Sequence, residues 1–238
     1  MKKLIVLLPF LFSVAFLMAQ NTMVHDANAE VRKVSGYHAI EVSNGIVLII
    51  SQSNDEAVAV SASSPEIRNR IKTEVENGKL KIYFDNSGLK DWKNNKQLKA
   101  YVSFKNLDGL EANSGADVST DGNINVSTMN MNLSSGAGFD GMVTATHLDI
   151  DQSSGSDMHI KGKVDDLKIK TSSGSDFNGY DLLSETCNAD ASSGSDIEIT
   201  VNKELQAQAS SGGGINYKGN GSVTSVSNSS GGKVKKQG

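Results

Sequence analysis

The sequence predicts an all-β fold, a parallel β-helix (β-solenoid) with about 19–20 residues per coil and one short helix in the N-terminal half. Three observations predict it. A Ser-Gly dipeptide recurs with its glycine at Gly115, Gly136, Gly155, Gly174, Gly194, Gly212 and Gly231, spaced by 21, 19, 19, 20, 18 and 19 residues. A fixed period in this range marks stacked coils, none of which buries its apolar face alone. Aligned on these glycines, the position five residues earlier holds Leu110, Met131, Ile150, Ile169, Ala189, Ala207 and Val226, and the position three residues later holds Val118, Phe139, Met158, Phe177, Ile197, Ile215 and Val234. All of these are apolar. Finally, aromatic residues make up 5% of the chain, which suits a narrow core filled by aliphatic stacks.

In chain order, Lys2 and Lys3 precede an apolar run from Leu4 to Met18, with Ala19 before the polar Gln20. This pattern reads as a secretory signal peptide over residues 1–19, cut after Ala19. The run is about 15 residues, short of the roughly 20 that span a bilayer, and Pro9 interrupts it. The expectation is therefore an exported chain without a membrane span, located at the cell surface, outside the cell or in the periplasm. Residues 20–35 are polar and aperiodic, which predicts a flexible leader. Residues 36–238 then form one solenoid domain, with the Ser-Gly repeats over 110–238. Loss of Lys2 and Lys3 takes the net charge from −4 to −6, so there is no electrostatic reason to bind nucleic acid. Cys187 is the single cysteine, so no internal disulfide can form. Its repeat position matches Leu148, Leu167 and Leu205, which predicts a buried, inert thiol.

From Tyr37 the pattern is strand-like. Ile40 and Val42 alternate with polar residues, Ser43-Asn44-Gly45 makes a turn, and Ile46 to Ile50 is a continuous β-rich run. Ala57 to Ala62 is another strand. Ser64-Pro65-Glu66 opens a short helix, with serine suited to the N-cap and proline to the first helical position. Ile71–Glu76 and Lys79–Phe84 flank Asn77-Gly78, a hairpin signal. A polar loop from Asp85 to Lys96 holds the single tryptophan, Trp92, and Gln97 to Phe104 is a strand.

Within the repeats, Ile160, Ile199 and Tyr217 occupy a further inward column, with Gly141 and Gly179 in the intervening coils. Strands alternate side chains between faces, so the residues between these columns point out. Asp149 and Asp151 align with Lys168 and Lys170, and then with Asn188 and Asp190. Opposite charges on neighbouring strands favour in-register parallel stacking. The repeated glycine is a corner where φ > 0 or tight stacking is needed, and the serine before it offers a column able to hydrogen-bond along its own length.

The fullest motif copies place Asp157, Asp176 and Asp196 in one column. Carboxylates stacked about 5 Å apart repel, and calcium, which takes six to eight oxygens, would relieve that. These three aspartates are thus the candidate metal ligands, and calcium the candidate cofactor. Aspartate and serine also favour turns by bonding nearby backbone N–H groups, which explains the motif with no ion at all. Among carboxylate-lined β-helices, polysaccharide-cleaving enzymes are an alternative. Here, however, the carboxylates repeat with the architecture, and neither a Ser/His/Asp set nor a His/Cys cluster stands out. The histidines are His25, His38, His147 and His159. His159 points outward by strand parity.

A leading signal peptide, the stretch Tyr37-His38-Ala39-Ile40-Glu41-Val42-Ser43-Asn44-Gly45-Ile46 and the glycine-cornered Ser-Gly-Ser-Asp repeats coincide in one chain. In this it resembles the auto-transporter adhesin family whose domain is called the head GIN domain, over about residues 36 to 222. The resemblance implies a secreted bacterial β-helical domain with a role in adhesion. The sequence thus points to an exported, non-catalytic solenoid whose repetitive surface binds glycans or other envelope components through many weak contacts. The alternative is a periplasmic carbohydrate-binding or polysaccharide-active β-helix.

Overall fold

A computed structural model describes residues 26–88 and 96–237. The predicted signal peptide over residues 1–19, His25 and Trp92 lie outside the described residues. Seventeen elements follow in chain order: β1 (Glu30–Arg32), β2 (Ala39–Val42), β3 (Val47–Gln52), β4 (Ala57–Ser61), α1 (Pro65–Arg68), β5 (Ile71–Glu76), β6 (Lys79–Phe84), β7 (Lys99–Phe104), β8 (Gly109–Ala112), β9 (Asp117–Leu133), β10 (Gly138–Gln152), β11 (Asp157–Thr171), β12 (Asp176–Ala191), β13 (Asp196–Ala209), β14 (Gly214–Lys218), β15 (Ser222–Asn228) and β16 (Lys233–Lys236). They build a parallel β-solenoid of about seven turns.

The period has a backbone cause. At each corner the serine and glycine both have positive φ, from 53° and 71° at Ser114-Gly115 to 47° and 82° at Ser230-Gly231. At the corners other than Ser154-Gly155, the residue after the glycine donates its N–H back to the carbonyl three residues earlier, as from Ser195 to Ser192 at 3.2 Å. Positive φ at both central residues with this bond is the signature of a type I′ turn. Each corner glycine N–H then donates to the serine carbonyl of the next coil, over 3.0–3.2 Å from Gly45 to Gly212. Asn44-Gly45 begins this ladder, with φ of 61° and 68°. The column that bonds along its own length is therefore made of serine carbonyls rather than hydroxyls. The serines that follow the glycine, Ser156, Ser175 and Ser195, are buried. Ser175 and Ser195 close their own turns through Oγ, and Ser156 Oγ reaches the Leu133 carbonyl of the preceding coil.

The core columns stack as the alignment predicts. Ile40, Leu110, Met131, Ile150, Ile169, Ala189, Ala207 and Val226 are successive register partners, and so are Leu48, Val118, Phe139, Met158, Phe177, Ile197, Ile215 and Val234. Cys187 lies between Leu167 and Leu205, buried, and burial pushes its thiol pKa up. Gly141 and Gly179 have a packing role. A Cβ on Gly179 would collide with the Phe177 ring, and one on Gly141 would meet Thr120 and the Phe139 ring. A phenylalanine thus fills the volume that the inward side chain two residues later would otherwise occupy. Of the two aligned wall pairs, Lys168 Nζ lies 2.7 Å from Asp149 Oδ2, and Asp151 and Lys170 are register partners.

The N-terminal half departs from chain order. β6 and β7 stack outside β2 and β3, so residues 79–104 form the coil that precedes residues 39–52 along the axis. Antiparallel strands then close this end: β5 pairs with β6, β4 with β7, and β1 with β4. The residue 71–84 hairpin is as predicted, and Ser64 caps α1 by accepting the Ile67 N–H. The predicted leader needs correction, because Glu30–Arg32 is a strand. Its Glu30 lies 2.6 Å from Arg32 and 2.8 Å from Arg68, and the Arg68 guanidinium donates to the Asn28 carbonyl. A second correction concerns Val226. It holds its place in the core column but is 49% exposed, because no further coil among the described residues covers it.

Candidate functional site: an acidic groove along one wall

The half-strands that follow the corner form one wall of the solenoid. Successive residues on a strand face opposite sides, so the apolar column at Val118 faces in and its neighbours face out. Register places two outward columns side by side. One reads Val47, Asp117, Gly138, Asp157, Asp176, Asp196, Gly214 and Lys233, and the other Ile49, Ser119, Asp140, His159, Asn178, Glu198, Asn216 and Lys235. Between them runs a groove of about 840 Å³ that extends from Val47 to Asn216. Six carboxylates line it, from Asp117, Asp140, Asp157, Asp176, Asp196 and Glu198, together with His159, Asn178 and Asn216, and no lysine or arginine.

The three candidate metal ligands are thus neighbours, with Asp157 in register with Asp176 and Asp176 with Asp196. All three are exposed. Burial and then the flanking charges of Asp157 and Asp196 raise the Asp176 pKa above the ordinary carboxylate value. Among the described residues no three His, Cys, Asp or Glu side chains are grouped to hold one metal ion. The glycines in the column supply another relief of the repulsion. A Cβ on Gly138 would lie 2.6 Å from Asp117 Oδ1, and one on Gly214 would collide with Asp196 Oδ1. The carboxylates of Asp117 and Asp196 therefore lie over the glycine strands, on the side with no competing anion. Read from the sequence, these glycines only interrupt the aspartate column; their role as seats becomes visible once register is known.

His159 faces the groove as strand parity predicts. Sequence reasoning missed Asp140, Glu198 and the two asparagines, which belong to the outward column two residues beyond the aspartates. The signal was present in the same alignment that revealed the core. Two exposed His–Asp pairs lie elsewhere: His38 Nδ1 is 2.9 Å from Asp108, and His147 Nδ1 is 3.4 Å from Asp166. Chemically the groove is a row of hydrogen-bond acceptors and amides at strand spacing, about 4.8 Å. It suits a ligand that donates hydrogen bonds or carries positive charge.

A regular parallel β-solenoid with a groove along one wall is an adhesin-like β-helical architecture. The family model described as "Putative auto-transporter adhesin, head GIN domain" matches residues 36–221, and the chain belongs to that family. Solved structures share the fold. A "putative adhesin" from Bacteroides fragilis is 19% identical, with a TM-score of 0.79 over 88% of this chain and 96% of that one. A "putative lipid binding protein" from Parabacteroides distasonis is 18% identical, with a TM-score of 0.69 over 90% of this chain and 98% of that one. A "putative adhesin" from the same organism is also 18% identical, with a TM-score of 0.69 over 88% and 96%. No curated protein matches the chain. No helix among the described residues is long and apolar enough to cross a membrane.

Proposed function

We propose that the protein is an exported, non-catalytic adhesin-type module that binds glycans of the cell envelope along the acidic groove. The observation that supports this reading is the groove itself, whose carboxylates and amides repeat in register over successive coils. Sugar hydroxyls donate hydrogen bonds, and carboxylate and amide oxygens accept them. A repeating polymer meets the same acceptors at each coil, so weak contacts add as avidity. Family membership supports an adhesive role, and the family's surface habit supports export.

The test is a glycan array probed with the wild-type protein and with the triple variant Asp157→Asn, Asp176→Asn, Asp196→Asn. Binding that the variant loses while its melting temperature holds supports the groove. Equal binding by both removes the groove from the function. Repeating the array with calcium and with a chelator separates direct recognition from an ion-mediated one. Protease treatment of intact cells tests location: cleavage places the solenoid outside, and protection until lysis favours the periplasmic carbohydrate-binding or polysaccharide-active alternative.

A further inference from the structure

The two ends of the solenoid differ in chemistry. Antiparallel strands and ion pairs close the N-terminal end. At the other end, among the described residues, β15 pairs only with β13 and β16 only with β14, so each has a free edge. Every residue of β15 is exposed, and its sequence, Ser-Val-Thr-Ser-Val-Ser-Asn, has no charge and no proline. Such a segment has the composition that favours strand pairing. Val223 and Val226, 38% and 49% exposed, continue inward columns that have no next coil.

Charge then selects among the strands that such an edge could accept. Residues 106–204 carry seventeen carboxylates and five lysines, whereas from Leu205 onward the chain has four lysines, Lys218, Lys233, Lys235 and Lys236, and no carboxylate. Three of these lie in β16, exposed and without an ion pair among the described residues. Edge lysines discourage pairing with neutral or basic strands. Another copy's C-terminal end carries the same lysines and is repelled, whereas an anionic strand is attracted.

We propose that the free edge of β16 forms a strand-addition site for an extended, acidic segment of a partner protein. The backbone groups of the added strand pair with the edge, an apolar residue covers the inward Val234, and carboxylates on either side of it meet Lys233 and Lys235. The Ser230-Gly231 corner separates β15 from β16, so one extended strand engages β16 alone. Lys233 and Lys235 continue the two outward columns one coil past Asn216, where the groove's lining ends, and the peptide test does not depend on any glycan, so the proposal stands or falls apart from the glycan reading.

The test measures binding of a blocked heptapeptide of alternating aspartate and valine to the full protein by fluorescence anisotropy. The lysine-valine counterpart and an aspartate-valine peptide methylated at alternate backbone nitrogens serve as comparisons. The expected result is binding of the acidic peptide, with hydrogen-exchange protection in residues 233–236. Its affinity should exceed that of the lysine peptide by about tenfold or more at low salt. The double variant Lys233→Glu, Lys235→Glu should reverse this preference, and it keeps the test valid if other edge variants fail to fold. Equal affinity for the methylated peptide would reduce the interaction to charge alone and overturn strand addition. Two further results would overturn the proposal by giving the edge another occupant. One is binding of anionic phospholipid vesicles with protection of the same residues and no peptide binding. The other is self-association of the protein that protects them.

Discussion

One apolar column runs the length of the molecule and ends differently at its two extremities. At the N-terminal end Leu80 is fully buried and antiparallel β5 covers its strand, with Val75 opposite. At the C-terminal end Val226 occupies the same column and is about half exposed. Position in a repeat therefore decides which way a side chain points, and the next coil decides whether that direction is buried. The sharpest test compares truncations at the two ends. Leu80→Ala should cost about 3 kcal/mol, as for other fully buried leucines. Val226→Ala should cost less than about 0.5 kcal/mol, as for surface positions. Chemical denaturation of both variants measures the difference, and equal losses would show that the terminal coil is covered in solution.

The corners offer the next contrast. Nothing lies within 4 Å of a Cβ placed on Gly174, whose φ is +68°. Alanine there should cost about 1–2 kcal/mol through backbone strain alone. Asparagine, which tolerates this conformation, should cost less. At Gly231, with φ +82°, the same alanine change should matter less in a global melt, because the final corner can fray without unstacking the coils before it. If alanine at Gly174 and at Gly231 cost the same, the terminal coil would be as firmly held as the interior.

The capped end has its own small lever. Ser64 Oγ accepts the Ile67 N–H, and α1 joins β4 to β5. Ser64→Ala should cost about 1 kcal/mol. Hydrogen exchange should then speed up first in β5 and β1, with β13 unchanged. Loss spread evenly along the rod would mean that the cap and coils unfold together.

The repeat made most of this legible. The core columns, the corner glycines, the wall charges, the hairpin and the helix cap all follow from local pattern. What stayed hidden needed contacts between segments distant in sequence. In the coil of residues 79–104 Gly88 follows the core residue Leu80 by eight positions, where the other corner glycines follow theirs by five, so alignment on glycine does not register it, and no local signal says that it stacks outside residues 39–52. Glu30–Arg32 is too short to show a period, and its partners, β4 and Arg68, lie about thirty to forty residues away. The aspartate column was visible from the motif, yet the groove requires the second column, where Asp140, His159, Asn178 and Glu198 differ from coil to coil. Varied residues leave no repeat to notice, although recognition depends on them.

Interior and terminal positions of the aspartate column differ as well, and this gives the smallest predicted effect. Asp117 and Asp196 each have a glycine strand to lie over, whereas Asp176 has a carboxylate on both sides. Its pKa is raised in the folded state by burial and by Asp157 and Asp196. The folded protein thus holds this proton to a higher pH than the unfolded chain does. The sign follows: the penalty is absent below the ordinary aspartate range, where both states are protonated, grows as pH rises through the raised value, and is then constant. Asp176→Asn should therefore stabilise the protein at neutral pH by about 0.5 kcal/mol, the scale of an exposed cross-strand charge pair. The gain should vanish in acid and shrink with added salt. Asp196→Asn should gain less, because its carboxylate already lies away from its neighbour. Melting curves of both variants across pH would decide the matter. A loss of stability from Asp176→Asn at neutral pH would mean that the carboxylate holds a favourable partner in solution, and calcium would then be the first ligand to titrate.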